Sequence, residues 1–279
     1  MSRAPILLAS LLLLAPLLAG CATNNGSPAA SSTPASSTVA SSTPASSTPV
    51  SSTPASGLGT VKVGTEADYP PFEDTTSDGK IVGFDIDVMK EVANRSGFQV
   101  SFQNAQFQAI IPSIQSGQFD MGASAFTITD ERKQQVDFSV PYYDNDLQVA
   151  VRADEGSITK ESDLPAHKVC TQTGTTSETW LLDHHQPNAS IVRFDAFPPC
   201  ADALKRGDVD AMMIDQATVR DLVQKSNGAL KNAFLITTGE QFGFPVKKGS
   251  AALLTAINAA LVAMKQDGTL DRMAQQWSV

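Results

Sequence analysis

Three short stretches carry residue types that can hold a small charged molecule. In TITDER (127–132) the Thr129-Asp130 pair predicts the cap of a short helix, which brings free backbone N–H groups and the guanidinium of Arg132 to one place. A guanidinium grips a carboxylate through two parallel hydrogen bonds. The apolar run VDAMMI (209–214) reads as a strand, and Asp215 stands at its carboxyl end, where ligands of open α/β sheets gather. An acid there can pair with an ammonium group or do no more than cap the following helix. In QTGTTSE (172–178), Thr175 or Thr176 opens a helix whose first N–H groups suit a carboxylate. A cation, an anion and spare N–H donors are the parts a zwitterion needs. Composition alone, though, favours reading Arg132 as a surface arginine paired with a nearby acid.

The elements that must position these residues follow from periodicity. The folded head begins near Leu58, where TVKVGT (60–65) alternates as a strand and breaks at DYPPF (68–72), whose prolines forbid helix. In GFDIDVMKEVANRSG (83–97) the residues Phe84, Ile86, Val88, Met89, Val92 and Ala93 form a stripe on a helix that stops at Gly97. Strand FQVSFQ, helix FQAIIPSIQSG and strand FDMGAS (119–124) complete a β-α-β-α-β order. Strand HKVCTQ, the helix after GTTSE, strand SIVRFD, helix CADALKRG (200–207), strand VDAMMI and a helix from Gln216 to Lys225 repeat it. Two similar α/β lobes are expected, and after QFGFPV the chain ends in two amphipathic helices, SAALLTAINAALVAMKQDG and LDRMAQQW.

The first 57 residues belong to no core. Arg3 precedes a Leu/Ala run from Ile6 to Ala19, too short to span a bilayer but right for an export signal. Leu18-Ala19-Gly20-Cys21 matches a lipobox, so residues 1–20 read as a lipoprotein signal peptide and Cys21 as the lipidated first residue of the mature chain. From Ala22 to Ser56 the repeated SSTPAS carries no charge and no aromatic residue. It cannot offset its ordering entropy by burial and reads as a disordered spacer reaching at least about 30 Å. The expected location is extracytoplasmic, lipid-anchored to the outer face of the cell membrane. There oxidation is permitted, and Cys170 and Cys200 are expected to be bonded, although spacing alone does not show that they approach. The net charge of −9 and pI near 4.8 exclude a nucleic-acid surface and leave small soluble ligands open.

Taken together, GTEADYPPFE (64–73), GFDIDVMKEVA (83–93), IIPSIQSGQFD (110–120), TITDERKQQVDFSVPYY (127–143), GTTSETW (174–180), GDVDAMMID (207–215) and DGTLDRMAQQW (267–277) resemble the family 3 extracellular solute-binding proteins, the amino-acid receptors of ABC importers. The resemblance covers residues 60–279. It implies a two-lobed periplasmic-binding-protein-like fold of type II, with lobe one at 58–143 plus 244–279 and lobe two at about 146–240. The chain would cross twice, near Tyr142–Asn145 and Glu240–Gly243, forming a hinge that closes on ligand. It also implies that Arg132 holds the ligand carboxylate, Asp215 its ammonium, and Thr175 or Thr176 a second-lobe contact. Ser124, the backbone of Ala125, and Thr127 would complete the contacts. Tyr69 and Phe107 match positions that form aromatic walls, and Glu66 a position where relatives set an acid against a distal polar or cationic group.

A buried, unpaired carboxylate is costly, so Glu66 favours a basic or amide side chain. The expected partners are a free polar amino acid, an importer permease with its ATPase, and the membrane through the lipid; a monomer without cofactor or metal is implied. Two alternatives stay open. One is a receptor for glutamate or aspartate, whose side chain would need a cation that the sequence does not locate. The other is a dehydratase on the same scaffold, for which Cys170 with His184 is the imaginable nucleophile and base; a disulfide to Cys200 would remove that thiolate. His167, His184 and His185 otherwise read as a solvated face. A sensing module would use the same cleft with a separate partner chain.

Overall fold

The computed structural model describes residues 57–184 and 190–279; the export signal, Cys21, the linker to Ser56 and His185 lie outside the described residues. The alternating TVKVGT forms strand β1 (Thr60–Thr65). Around the prolines that follow, with a cis bond at Pro70–Pro71, lie three short antiparallel strands, β2 (Asp68–Tyr69), β3 (Glu73–Thr75) and β4 (Ile81–Val82). Helix α1 (Phe84–Ser96) buries the expected stripe and stops at Gly97, which takes the left-handed conformation. Gly83 opens α1 at φ 141°, and a Cβ there would stand 2.0 Å from the carbonyl oxygen of Phe72. Only glycine lets the helix start this close to Phe72 and Glu73.

Strand β5 (Gln99–Asn104), helix α2 (Phe107–Ser116), strand β6 (Met121–Gly122), helix α3 (Asp130–Gln135) and strand β7 (Asp137–Phe138) follow. The strand expected over FDMGAS is shorter than its pattern. Ala125 turns into the left-handed region at φ 46°, and Ser124 and Ala125 leave the ladder to bond with Glu73 and Asp85. Beyond lie β8 (Tyr143–Arg152), β9 (Val169–Gln172), α4 (Thr176–His184), β10 (Ile191–Phe194), α5 (Phe197–Arg206), β11 (Ala211–Asp215) and α6 (Gln216–Lys225). Helix α5 starts three residues before the expected CADALKRG because its first turn accepts Pro198 and Pro199, whose missing N–H groups would have no helical partner there. Strands β12 (Leu230–Phe242) and β13 (Pro245–Val246) and helices α7 (Ala251–Gln266) and α8 (Thr269–Trp277) end the chain.

Two five-stranded sheets organise these elements. The first has the order β5-β1-β6-β13-β7, with β1 parallel to both neighbours, and packs against α1 and α2. The second has the order β10-β9-β11-β8-β12; β9 is parallel to its neighbours, β8 runs antiparallel to β11 and β12, and α4, α5 and α6 cover it. The periodicity predicts no strand over 143–152 or 230–242, yet these are the longest strands described. Their paired ends, Tyr143 opposite Phe242, Asp144 opposite Gln241 and Asn145 opposite Glu240, continue into Tyr142 N–H to Phe242 O and Ser139 N–H to Phe244 O. Two chain segments therefore run side by side from one sheet to the other. Within the second sheet Cys170 of β9 is bonded to Cys200 of α5.

Candidate functional site

Helix α3 begins as TITDER predicts. Thr129 Oγ1 accepts from the N–H of Arg132 at 3.2 Å and closes the first turn. That turn sends the Arg132 side chain inward, where it is buried: Nη1 donates to Thr127 O at 2.9 Å and Nη2 to Gly174 O at 3.0 Å. Its Cζ sits 5.3 Å from the ring centre of Phe107 and 5.4 Å from that of Phe126, so the cation lies over two aromatic faces. Burial pulls the guanidinium pKa down to about 10, while Asp215 and Glu240 act against that. The surface-arginine reading does not hold.

Asp215 ends β11 and precedes α6, yet its side chain makes no cap bond. Its Oδ2 accepts from the hydroxyl of Tyr69 at 2.6 Å and its Oδ1 from Asn145 Nδ2 at 2.6 Å. Burial pushes this carboxyl up to about 7. Glu66, just past β1, accepts from the N–H of Phe107 at 3.2 Å and from Gln172 Nε2, and burial pushes it up to about 7 as well. At the mouth of α4 the two threonines are placed as follows. Thr175 Oγ1 accepts from Glu178 N–H at 3.3 Å as a cap, and Thr176 Oγ1 donates to Glu240 Oε2 at 3.1 Å.

One cavity gathers every ligand-binding residue expected from the sequence: Glu66, Tyr69, Phe107, Ser124, Ala125, Thr127, Arg132, Thr175, Thr176 and Asp215. Two further lining residues, Glu73 and Gln172, escape sequence reasoning. Gln172 had a usable signal, since it ends strand β9 as Asp215 ends β11. Glu73 had only its place after the double proline. Behind the lining, Asp85 is pushed up to about 7 by burial, and burial also raises Glu240. Among the described lining residues Arg132 is the one cation, set against Glu66, Glu73 and Asp215. A guanidinium can grip a carboxylate and ionised acids can accept from positive charge, so the lining has the parts for both.

The bonds that close the cavity join residues near the first sheet to residues of the second: Tyr69 to Asp215, Arg132 to Gly174, Glu66 to Gln172, and Thr127 Oγ1 to Thr176 Oγ1 at 3.4 Å. The histidines stand apart. His184 is exposed and stacks on Trp180, and Cys170, bonded to Cys200, has no thiol to offer as a nucleophile.

Known proteins place this arrangement. The chain is 34% identical over 225 residues to the L-cystine-binding protein TcyJ of Escherichia coli (strain K12), covering 78% of this chain and 82% of that protein. It is 33% identical over 222 residues to the ABC transporter arginine-binding protein 1 of the same organism, covering 78% and 90%. An ancestral arginine-binding protein has been solved bound to arginine and bound to glutamine. The two structures match with TM-scores of 0.74 and 0.75 at 40% identity, over 78% of this chain and 98% and 97% of theirs. These neighbours have the two-lobed fold expected from the sequence. Residues 61–279 match the profile of the bacterial extracellular solute-binding proteins, family 3, and the chain belongs to that family.

Proposed function

We propose that this protein captures a free L-amino acid with a basic or amide side chain and delivers it to an ABC importer, without turning it over. The observation that carries the reading is the charge balance of the cavity, where buried carboxylates surround one arginine. Arg132 takes the α-carboxylate, Asp215 the α-ammonium, and Glu66 the distal end of the side chain. The neutral donors Tyr69 and Asn145 already serve Asp215, and an arriving ammonium would supply the charge that they lack. Phe107 and Tyr69 form the walls. Glutamate or aspartate would bring a second carboxylate to a cavity whose described lining has no second cation, which speaks against the acidic alternative. The disulfide at Cys170 removes the thiol imagined as a nucleophile for the enzyme alternative.

In this reading lobe one comprises residues 58–143 and 244–279, lobe two comprises 146–240, and the paired crossings at Tyr142–Asn145 and Glu240–Gly243 form the hinge. A zwitterion held by Arg132 on one side and Asp215 on the other stabilises the closed form through contacts that exist only there. The lipid at Cys21 and the linker would keep the loaded head beside its permease.

Calorimetric titration of residues 57–279 with arginine, lysine, histidine, glutamine, cystine and glutamate tests the assignment. Saturable binding of the basic or amide members, with glutamate much weaker, is expected. Tightest binding of glutamate would overturn the side-chain assignment, and no binding by any amino acid would overturn the capture reading.

A further inference from the structure

Glu73 lines the cavity and Asp85 stands behind it, and the capture scheme assigns neither a role. Both are 0% exposed. The close start of α1 at Gly83 brings them together, with Asp85 N–H donating to Phe72 O at 3.0 Å. Glu73 Oε1 accepts from Ser124 Oγ at 2.9 Å; Asp85 Oδ2 accepts from Ala125 N–H at 2.8 Å and from the Tyr142 hydroxyl at 2.7 Å. Their other oxygens, Glu73 Oε2 and Asp85 Oδ1, are buried and receive no donor. The titratable groups that face Glu73 are Asp85 on α1, Glu66 after β1, Asp215 at the end of β11 and the phenols of Tyr69 and Tyr142. Among the described residues no lysine or arginine forms an ion pair with either carboxyl.

The successive residues Ser124 and Ala125 hold these two buried carboxyls beside each other with no cation paired to either, which disfavours ionising both, so one keeps a proton. Two donors stabilise charge on Asp85 and only one reaches Glu73, which places the proton on Glu73. We propose that Glu73 is a positioning residue acting as a neutral carboxylic acid, which fixes Ser124 as a hydrogen-bond acceptor toward the cationic part of the ligand while Asp85 carries the charge and holds Ala125. With the acid hydrogen on Glu73 Oε2, the oxygen that receives no donor, Oε1 stays an acceptor and the bookkeeping of Ser124 follows. Its single hydrogen goes to Glu73, one lone pair accepts from Glu66 N–H at 3.1 Å, and the lone pair left over can serve an ammonium but not a carboxylate. The proposal rests on the amino-acid reading and deepens it by giving Ser124 a sign. Protonation of Glu73 agrees with burial and the neighbouring Asp85 pushing its pKa well above the carboxylate range.

The experiment has a ligand-free arm and a binding arm. In ligand-free residues 57–279 labelled with ¹³C at carboxyl carbons, the Glu73 resonance is expected to remain that of a protonated acid at neutral pH, and the melting temperature to fall between about pH 5 and about pH 8. In Glu73→Gln, which keeps the shape of the neutral acid, that fall is expected to shrink. An ionised Glu73 at neutral pH, with Glu73→Gln melting far below wild type, would overturn the proposal. In the binding arm, Glu73→Ala is expected to weaken arginine binding at least tenfold and Glu73→Gln to rescue most of that loss; equal loss in both would overturn the positioning role. If wild type binds no amino acid, the capture reading and the sign given to Ser124 fall together, and the ligand-free arm still decides where the proton sits.

Discussion

Arg132 donates to the carbonyl of Thr127 beside it, which orients the fork, and to that of Gly174 as one of the bonds that close the cavity. Replacing it by alanine is expected to weaken binding by roughly 3 kcal/mol or more, because the ligand carboxylate loses its only cation. Arg132→Lys is expected to recover little, since an ammonium cannot make the two parallel bonds. Titration calorimetry reads both, and affinity unchanged in either variant would contradict the assignment. Glu66→Gln is expected to lower arginine affinity about tenfold or more while changing glutamine affinity far less; an unaltered arginine-to-glutamine ratio would remove Glu66 as the selector. At this scale the cation and the acid were legible because each sits at a helix start or a strand end. Glu73 and Asp85 were not, because their proximity depends on Gly83 packing α1 against Phe72, a contact that no local pattern in the sequence displays.

The helices follow the 3.6 periodicity, β1 begins as an alternation and β11 shows as a continuous apolar run, and these boundaries fall within a few residues of expectation. Strands β8 and β12 escaped for separate reasons. β12 has register irregularities between Asn232 and Phe234 and between Ile236 and Glu240, each of which breaks a period of two. β8 buries the polar Asn145 and Gln148, the latter donating to Phe234 O at 2.6 Å beside the first irregularity, so its inward face does not look apolar. The Cys170–Cys200 bond ties β9 to α5 across a separation of 30 residues. Replacing both cysteines by serine is expected to cost roughly 3 kcal/mol of stability by the chain-entropy argument, read as a lower urea midpoint with an unchanged ligand ranking. Gly83→Ala is expected to destabilise as well, because the new Cβ meets the backbone of Phe72 with no side chain to move aside.

Across the whole molecule, the buried acids make stability and affinity respond to pH in opposite directions. Glu66 and Asp215 have folded pKa values of about 7, raised from 4.5 and 3.8 by burial. An acid with a raised folded pKa binds its proton more tightly when folded, so the ligand-free head is most stable in acid and loses stability as pH rises through about 7. The ionised forms are the ones that hold a cation, so affinity for arginine is expected to rise over the same interval, with protons released on binding near neutrality. Titrations in buffers of different ionisation heat would detect that release, and its absence would mean that these acids are already ionised before capture.

The measurement that bears most directly on the central claim is the melting temperature of residues 57–279 against each common amino acid, on protein unfolded and refolded to remove retained ligand. A ligand that binds only the native state adds about 2.7 kcal/mol at a hundred times its dissociation constant. A selective rise with basic or amide amino acids is expected. A rise confined to glutamate or aspartate, or no rise with any amino acid, would contradict it.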